Sequence, residues 1–136
     1  MIQLIYGTKG SGKTKKLLNM VAEEVKTAEG SVVFIDDDKR YLREVPSSVR
    51  FVDISEYGID SADALLGFLC GMYAQNYDIG AYYIDALLKI VGKQPEELAC
   101  FFKKLGEFCE ANKINVVISV SAEAEEAPEY LKNWII

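Results

Sequence analysis

An α/β fold of three layers, with helices on both faces of a mostly parallel sheet of about five strands, is the architecture the sequence predicts. Three observations lead to it. Short apolar runs of strand length alternate with amphipathic stretches of helical period along the chain. The 136 residues suffice for one domain with a real core. No repeat, low-complexity run or linker interrupts the alternation. The expected organisation is a single domain over 1–136, with 123–136 as an acidic C-terminal tail or helix.

Each element has its own signal. Ile2 to Tyr6 is a short apolar run ending at a glycine and reads as a buried strand. Lys13 to Ala28 carries Leu17, Leu18, Val21 and Val25 at helical spacing, and Gly30 ends that helix. Ser31 to Ile35 is the second strand. Lys39 to Glu44 reads as one helical turn ahead of Pro46, and Arg50 to Ile54 as a short third strand. Asp60 or Ser61 caps a helix that runs to about Gln75, and Ala81 to Ile84 follows as a fourth strand. Pro95 opens another helix at its first turn, with Leu98, Phe101, Phe102, Leu105, Phe108 and Cys109 on one face. Ile114 to Val120 is the fifth strand. Ligands of parallel sheets collect beyond the carboxyl ends of the strands. The positions to inspect are therefore Gly7 to Thr14, Asp36 to Asp38, Asp53, Asp85 and Ser119 to Glu123.

Composition narrows the chemistry. Lys plus Arg is 15 and Asp plus Glu is 21, a net charge of −6, which argues against nucleic-acid and polybasic membrane binding. There is no histidine, which excludes a Ser-His-Asp triad, a Cys-His pair and any His-ligated metal. Cys70, Cys100 and Cys109 are odd in number and never form a C-x-x-C pair, so neither a disulfide framework nor a zinc site is expected. Each falls in an apolar helical run and reads as a buried small hydrophobe. Met1 to Tyr6 contains no basic leader, and no apolar run approaches a membrane span. The expectation is a cytoplasmic protein.

The chemistry concentrates in one motif. Gly7, Thr8, Lys9, Gly10, Ser11, Gly12, Lys13 and Thr14 fit G-x-x-x-x-G-K-[ST] at every fixed position, between an apolar strand and an amphipathic helix. Such a loop binds phosphates with main-chain N–H groups, aided by the positive end of the helix dipole. Glycines permit its sharp turns and the close approach of the backbone. Lys13 is placed to reach the β- and γ-phosphates, and the Thr14 hydroxyl to meet Mg²⁺. Lys9, Lys15 and Lys16 make this the most basic stretch of an acidic chain. The apolar strand Tyr82-Tyr83-Ile84 ends in Asp85, which is expected as the carboxylate on the Mg²⁺ side, acting through water.

With these residues in place, the chain resembles the P-loop NTPases and, within them, the RecA/KaiC-like (ASCE) division. It also resembles short bacterial P-loop ATP-binding proteins. The likeness runs from Ile2 to about Glu123. Phe34-Ile35-Asp36-Asp37-Asp38 resembles that division's Phe-Ile-Asp-x-Glu segment, whose last acid orients the attacking water. The resemblance thus implies Asp38 in that role, one methylene shorter, with Asp37 the neighbouring choice of register and Lys13 as the charge neutraliser. It places a polar sensor at Ser119 or Ser121. It also implies a three-layer P-loop NTPase fold in which the Ile114 strand lies between the Ile2 and Ala81 strands, in the order 5-1-4-3-2 without the fifth strand. Direct adjacency of the Ile2 and Ala81 strands would instead mark the kinase–GTPase division. Arginine occurs only at Arg40, Arg43 and Arg50, so no later arginine is available as a finger or lid, and Tyr41 is a candidate to stack on a base.

The leading expectation is an ATP–Mg²⁺-binding protein that hydrolyses slowly and acts through a protein partner or self-association. A small-molecule kinase and a nucleotide-binding module without turnover are the alternatives.

Overall fold

The computed structural model describes residues 1–136. Five strands form one parallel sheet: β1 (Ile2–Gly7), β2 (Ser31–Asp36), β3 (Arg50–Asp53), β4 (Ile79–Ile84) and β5 (Asn115–Ser121). The strand order is β1-β5-β4-β2-β3, with Leu4 opposite Ile118, Ile84 opposite Ile118 and Phe34 opposite Tyr83. β5 therefore lies between β1 and β4, as expected.

Side chains alternate across each strand, and both faces of the sheet are apolar. Val33 and Ile35 of β2, Tyr82 and Ile84 of β4, and Val116, Ile118 and Val120 of β5 face one way. There they meet α2 (Ala62–Gln75), α3 (Leu87–Val91), α4 (Ala99–Asn112) and α5 (Glu129–Lys132), through Leu65, Leu69, Leu87, Phe102, Leu105 and Leu131 among others. On the opposite face, Val32, Phe34, Ala81, Tyr83 and Val117 pack under Leu17 and Val21 of α1 (Lys13–Thr27) and under Val45 and Val49. No helix is long and apolar enough to cross a membrane.

Several boundaries differ from expectation for local reasons. Residues 39–44 form hydrogen-bonded turns rather than a helix: Leu42 N–H donates to Lys39 O and Glu44 N–H to Tyr41 O. Pro95–Glu97 is a separate 3₁₀ turn, and α4 begins only at Ala99. α3 was not expected; at five residues it is too short to show a period, and Gly92 closes it at φ 65°. Of the cysteines only Cys109 is buried, because the face of α4 that carries Phe101, Phe102 and Leu105 inward turns Cys100 outward, where it is exposed. The residues after β5 are packed against the fold. Leu131 is fully buried and the Trp134 ring lies 5.9 Å from that of Phe102. Leu4 N–H donates to Trp134 O and Ile136 N–H to Leu4 O, so Ile135 bridges the outer edge of β1 in parallel. The outer edge of β1 thus carries a one-residue bridge.

Candidate functional site

The chain leaves β1 at Gly7 and enters α1 at Lys13 through a loop whose conformation only glycine adopts cheaply. Gly10 (φ 83°) and Gly12 (φ 88°) are both left-handed, and a Cβ built at either meets nothing within 4 Å. Glycine is needed there for backbone reasons, and the space beside it is open. Within the loop, Ser11 N–H donates to Thr8 O, and Lys16 N–H makes the first helical bond, to Gly12 O. The N–H groups of Lys9, Gly10, Gly12, Lys13, Thr14 and Lys15 find no acceptor in the protein. These are the orphan donors of a helix start, extended backwards by a turn of loop and concentrated at the positive end of the helix dipole. Gly12 at the N-cap offers no side chain to satisfy any of them.

Lys13 is 9% exposed, and its Nζ donates to Thr8 O at 2.9 Å, folding the ammonium over its own loop. Burial lowers its pKa, and the nearby Asp85 carboxylate opposes that shift. The loop thus closes around the Lys13 side chain, although a glycine-rich loop of this kind would be expected to leave it in solvent.

Asp85 follows the last residue of β4 and is buried. Both its carboxylate oxygens are engaged: Thr14 Oγ1 donates to Oδ2 at 3.0 Å, and Ser119 Oγ donates to Oδ1 at 2.5 Å. The Ser119 hydroxyl in turn accepts from Ala86 N–H at 2.8 Å. Ala86 occupies the left-handed region at φ 60°, ψ 48° without being glycine, a strained conformation that turns the chain from β4 into α3. The two serines offered by the sequence thus separate. Ser119 is buried beneath Asp85, whereas Ser121 is exposed and lines the cleft above the loop.

That cleft has a volume of about 660 Å³. Lys13, Thr14 and Asp85 form one side of it, and Asp36 and Asp37 another. Arg40 and Tyr41, from the turns after β2, and Leu88 and Lys89 of α3 complete the wall. The carboxyl oxygens of Asp36, Asp37 and Asp38 lie within 4.8 Å of one another, but the three acids are in different states. Asp36 ends β2 and is 2% exposed; its Oδ1 accepts from Asp37 N–H, and its buried Oδ2 has no donor. Burial first, and then the adjoining Asp37 carboxylate, push its pKa up to about 8. Burial works against ionisation of Asp37 too. The adjoining neutral Asp36 carboxyl and the Lys89 ammonium, 2.5 Å from Oδ2, outweigh it and hold Asp37 below the usual carboxylate range.

Asp38 is placed differently. Its Oδ1 accepts from Arg40 N–H and its Oδ2 from Arg40 Nη2, both at 2.9 Å, and it does not line the cleft. β2 stops at Asp36, so the strand alternation that would put Asp36 and Asp38 on one face does not extend that far. Asp38 serves as an Asx cap of the next turn.

The cleft residues Arg40, Leu88 and Lys89 were not expected from the sequence. Arg40 was recognisable only as one of three arginines, and α3 is too short for periodicity to reveal. Neither a family model nor a curated protein matches this chain.

Proposed function

We propose that this protein binds a nucleoside triphosphate, ATP in the leading case, together with Mg²⁺, and hydrolyses it slowly under the control of a protein partner. One observation carries the reading. The Thr14 hydroxyl and the Asp85 carboxylate meet beside a glycine loop whose main-chain donors are unpaired and whose lysine is folded over it. The groups present fit the ligand on chemical grounds. Unpaired N–H groups at a helix start are suited to phosphate oxygens, and a hydroxyl beside a carboxylate offers the hard oxygen donors that Mg²⁺ prefers.

In this reading the N–H groups of Lys9, Gly10, Gly12, Lys13, Thr14 and Lys15 and the Lys13 ammonium hold the phosphates. Lys13 exchanges its Thr8 carbonyl for a phosphate oxygen. Thr14 and Asp85 hold Mg²⁺, whose contribution is to neutralise phosphate charge. Ser119 fixes the Asp85 carboxylate through the contact with Oδ1, supporting the metal side from below.

For hydrolysis a carboxylate must orient water, because the chain has no histidine to do so. Asp37 fits that task better than Asp38. It lines the cleft and stays ionised, whereas Asp38 is spent on capping Arg40. Asp36, held as the neutral acid, accepts from Asp37 N–H and adds no second negative charge beside the Asp37 carboxylate. Arg40 stands at the wall, and Tyr41 offers a face for a base.

A phosphate-release assay on the purified chain with ATP–Mg²⁺ tests the reading. Slow release that stops on chelation of Mg²⁺ supports it. Phosphate transferred to an added nucleoside or sugar, with none freed, would instead mark a kinase.

A further inference from the structure

The turns between β2 and β3 present two different surfaces. Arg40 and Tyr41 line the cleft just described, whereas Leu42 and Arg43 line a second, shallower groove of about 680 Å³ that extends to Phe51 of β3. Val45 and Val49 form its buried floor and belong to the core beneath α1. Leu42, 45% exposed, stands over that floor. Strand β3 is the last in the sheet, so its outer edge has no strand partner.

Two cations flank this apolar floor, Arg43 and Arg50, and both are exposed. Arg40 is paired with Asp38, but no acid lies within ion-pair distance of Arg43 or Arg50, and neither guanidinium makes a hydrogen bond. In a chain with 21 acids against 15 bases, this groove is lined by two arginines and by no acid. No lysine lines the groove. Its cations are planar forks suited to carboxylates rather than compact point charges.

We infer that this groove docks an extended, acidic segment of a partner protein. The segment lies along β3, with carboxylates on Arg43 and Arg50 and apolar side chains over Leu42, Pro46 and Phe51. An added strand pairs its main chain with an open sheet edge and sends alternate side chains the same way, which suits a peptide alternating acidic and apolar residues. A nucleic acid offers neither apolar side chains for the floor nor a main chain for the edge. The net charge of −6 opposes a long polyanion as well. No groove residue lines the nucleotide cleft, so the inference stands apart from the reading of that cleft.

A random-peptide display library panned against the full chain tests this. The enriched peptides are then synthesised with a fluorescent label and titrated by anisotropy against the wild type and the double variant Arg43→Glu/Arg50→Glu. Both positions are exposed, and a circular dichroism melt verifies that the variant folds; Arg43→Gln alone serves as the milder change. Expected are peptides that alternate Asp or Glu with apolar residues and bind the double variant about tenfold more weakly or worse. Replacing each of their acids by Lys should restore binding to the double variant. No enrichment, enrichment of basic or neutral peptides, or equal affinity for wild type and variant overturns the proposal. So does an oligothymidylate that binds the wild type through these arginines while acidic peptides do not.

Discussion

Thr14 Oγ1 donates to Asp85 Oδ2 at 3.0 Å across 71 residues of chain, joining the first turn of α1 to the end of β4. Because β5 separates β1 from β4, this contact reaches over an intervening strand, and Ser119 of that strand supports the same carboxylate from below. One acid thus ties three elements together at the carboxyl edge of the sheet.

If Asp85 holds Mg²⁺, Asp85→Asn removes the charge while keeping one oxygen for Thr14 or Ser119. Wild-type protein should melt at higher temperature with ATP plus Mg²⁺ than with ATP alone, since a ligand at about 100 times its Kd stabilises by about 2.7 kcal/mol. In the variant the two melts should coincide. A Mg²⁺ effect of wild-type size in Asp85→Asn would remove the aspartate from the metal site.

Ser119→Ala removes one donor to Asp85 and the acceptor of Ala86 N–H, both in a buried setting. Leaving buried polar groups unpaired costs about 1–3 kcal/mol each. The ligand-free variant should lose stability on that scale in urea unfolding, with an unchanged m-value. A loss below about 0.5 kcal/mol, within the range of ordinary surface substitutions, would mean that the network under Asp85 carries no weight.

Asp36 gives a pH signature. Its pKa is about 8 in the folded chain against the usual 3.8, so between those values the folded state binds the proton and the unfolded state does not. Stability from this group is fully present below about pH 4 and is lost as pH rises through the folded value. Asp37, shifted downward, changes only at the acid end, outside this window. Wild-type melting temperature should therefore fall between pH 5 and pH 8, and Asp36→Asn, which mimics the neutral acid, should flatten that fall. Parallel profiles for the two proteins would show Asp36 to be ionised.

Asp37→Asn and Asp38→Asn separate the two acids in turnover. Phosphate release should drop at least about tenfold in Asp37→Asn, on the order of 1.4 kcal/mol in the barrier, with ATP affinity nearly unchanged. It should stay near wild type in Asp38→Asn, whose amide oxygen still accepts from Arg40 N–H and whose lost charge weakens only the exposed pair with the Arg40 guanidinium. The reverse ranking would restore the role that the sequence resemblance implies for Asp38.

The layers and the glycine loop were legible because each rests on strong local signals: apolar runs of strand length, helical spacing in Lys13–Thr27, and glycines at Gly10 and Gly12 where φ is positive; the place of β5 between β1 and β4 came from the resemblance alone. Asp85 was legible as the polar end of an apolar strand. The states of Asp36, Asp37 and Asp38 were not. They depend on where β2 stops and on Lys89, contributed by a five-residue helix with no visible period. The packing of Leu131, Trp134 and Ile135 against α4 and β1 was hidden for a similar reason. A few apolar residues among glutamates look like a tail until the groove they fill is known.

Isothermal titration of ATP–Mg²⁺ into wild type and into Lys13→Ala is the most direct measurement. Lys13 is the one ammonium folded over the loop, where its hydrogen bond is to Thr8 O. Wild type should give saturable, Mg²⁺-dependent binding near one site per chain. The variant, verified as folded by its far-ultraviolet dichroism, should lose binding by tenfold or more, on the order of 1.4 kcal/mol. No heat of binding in the wild type, or equal affinity in a folded Lys13→Ala, would contradict nucleotide binding at this loop.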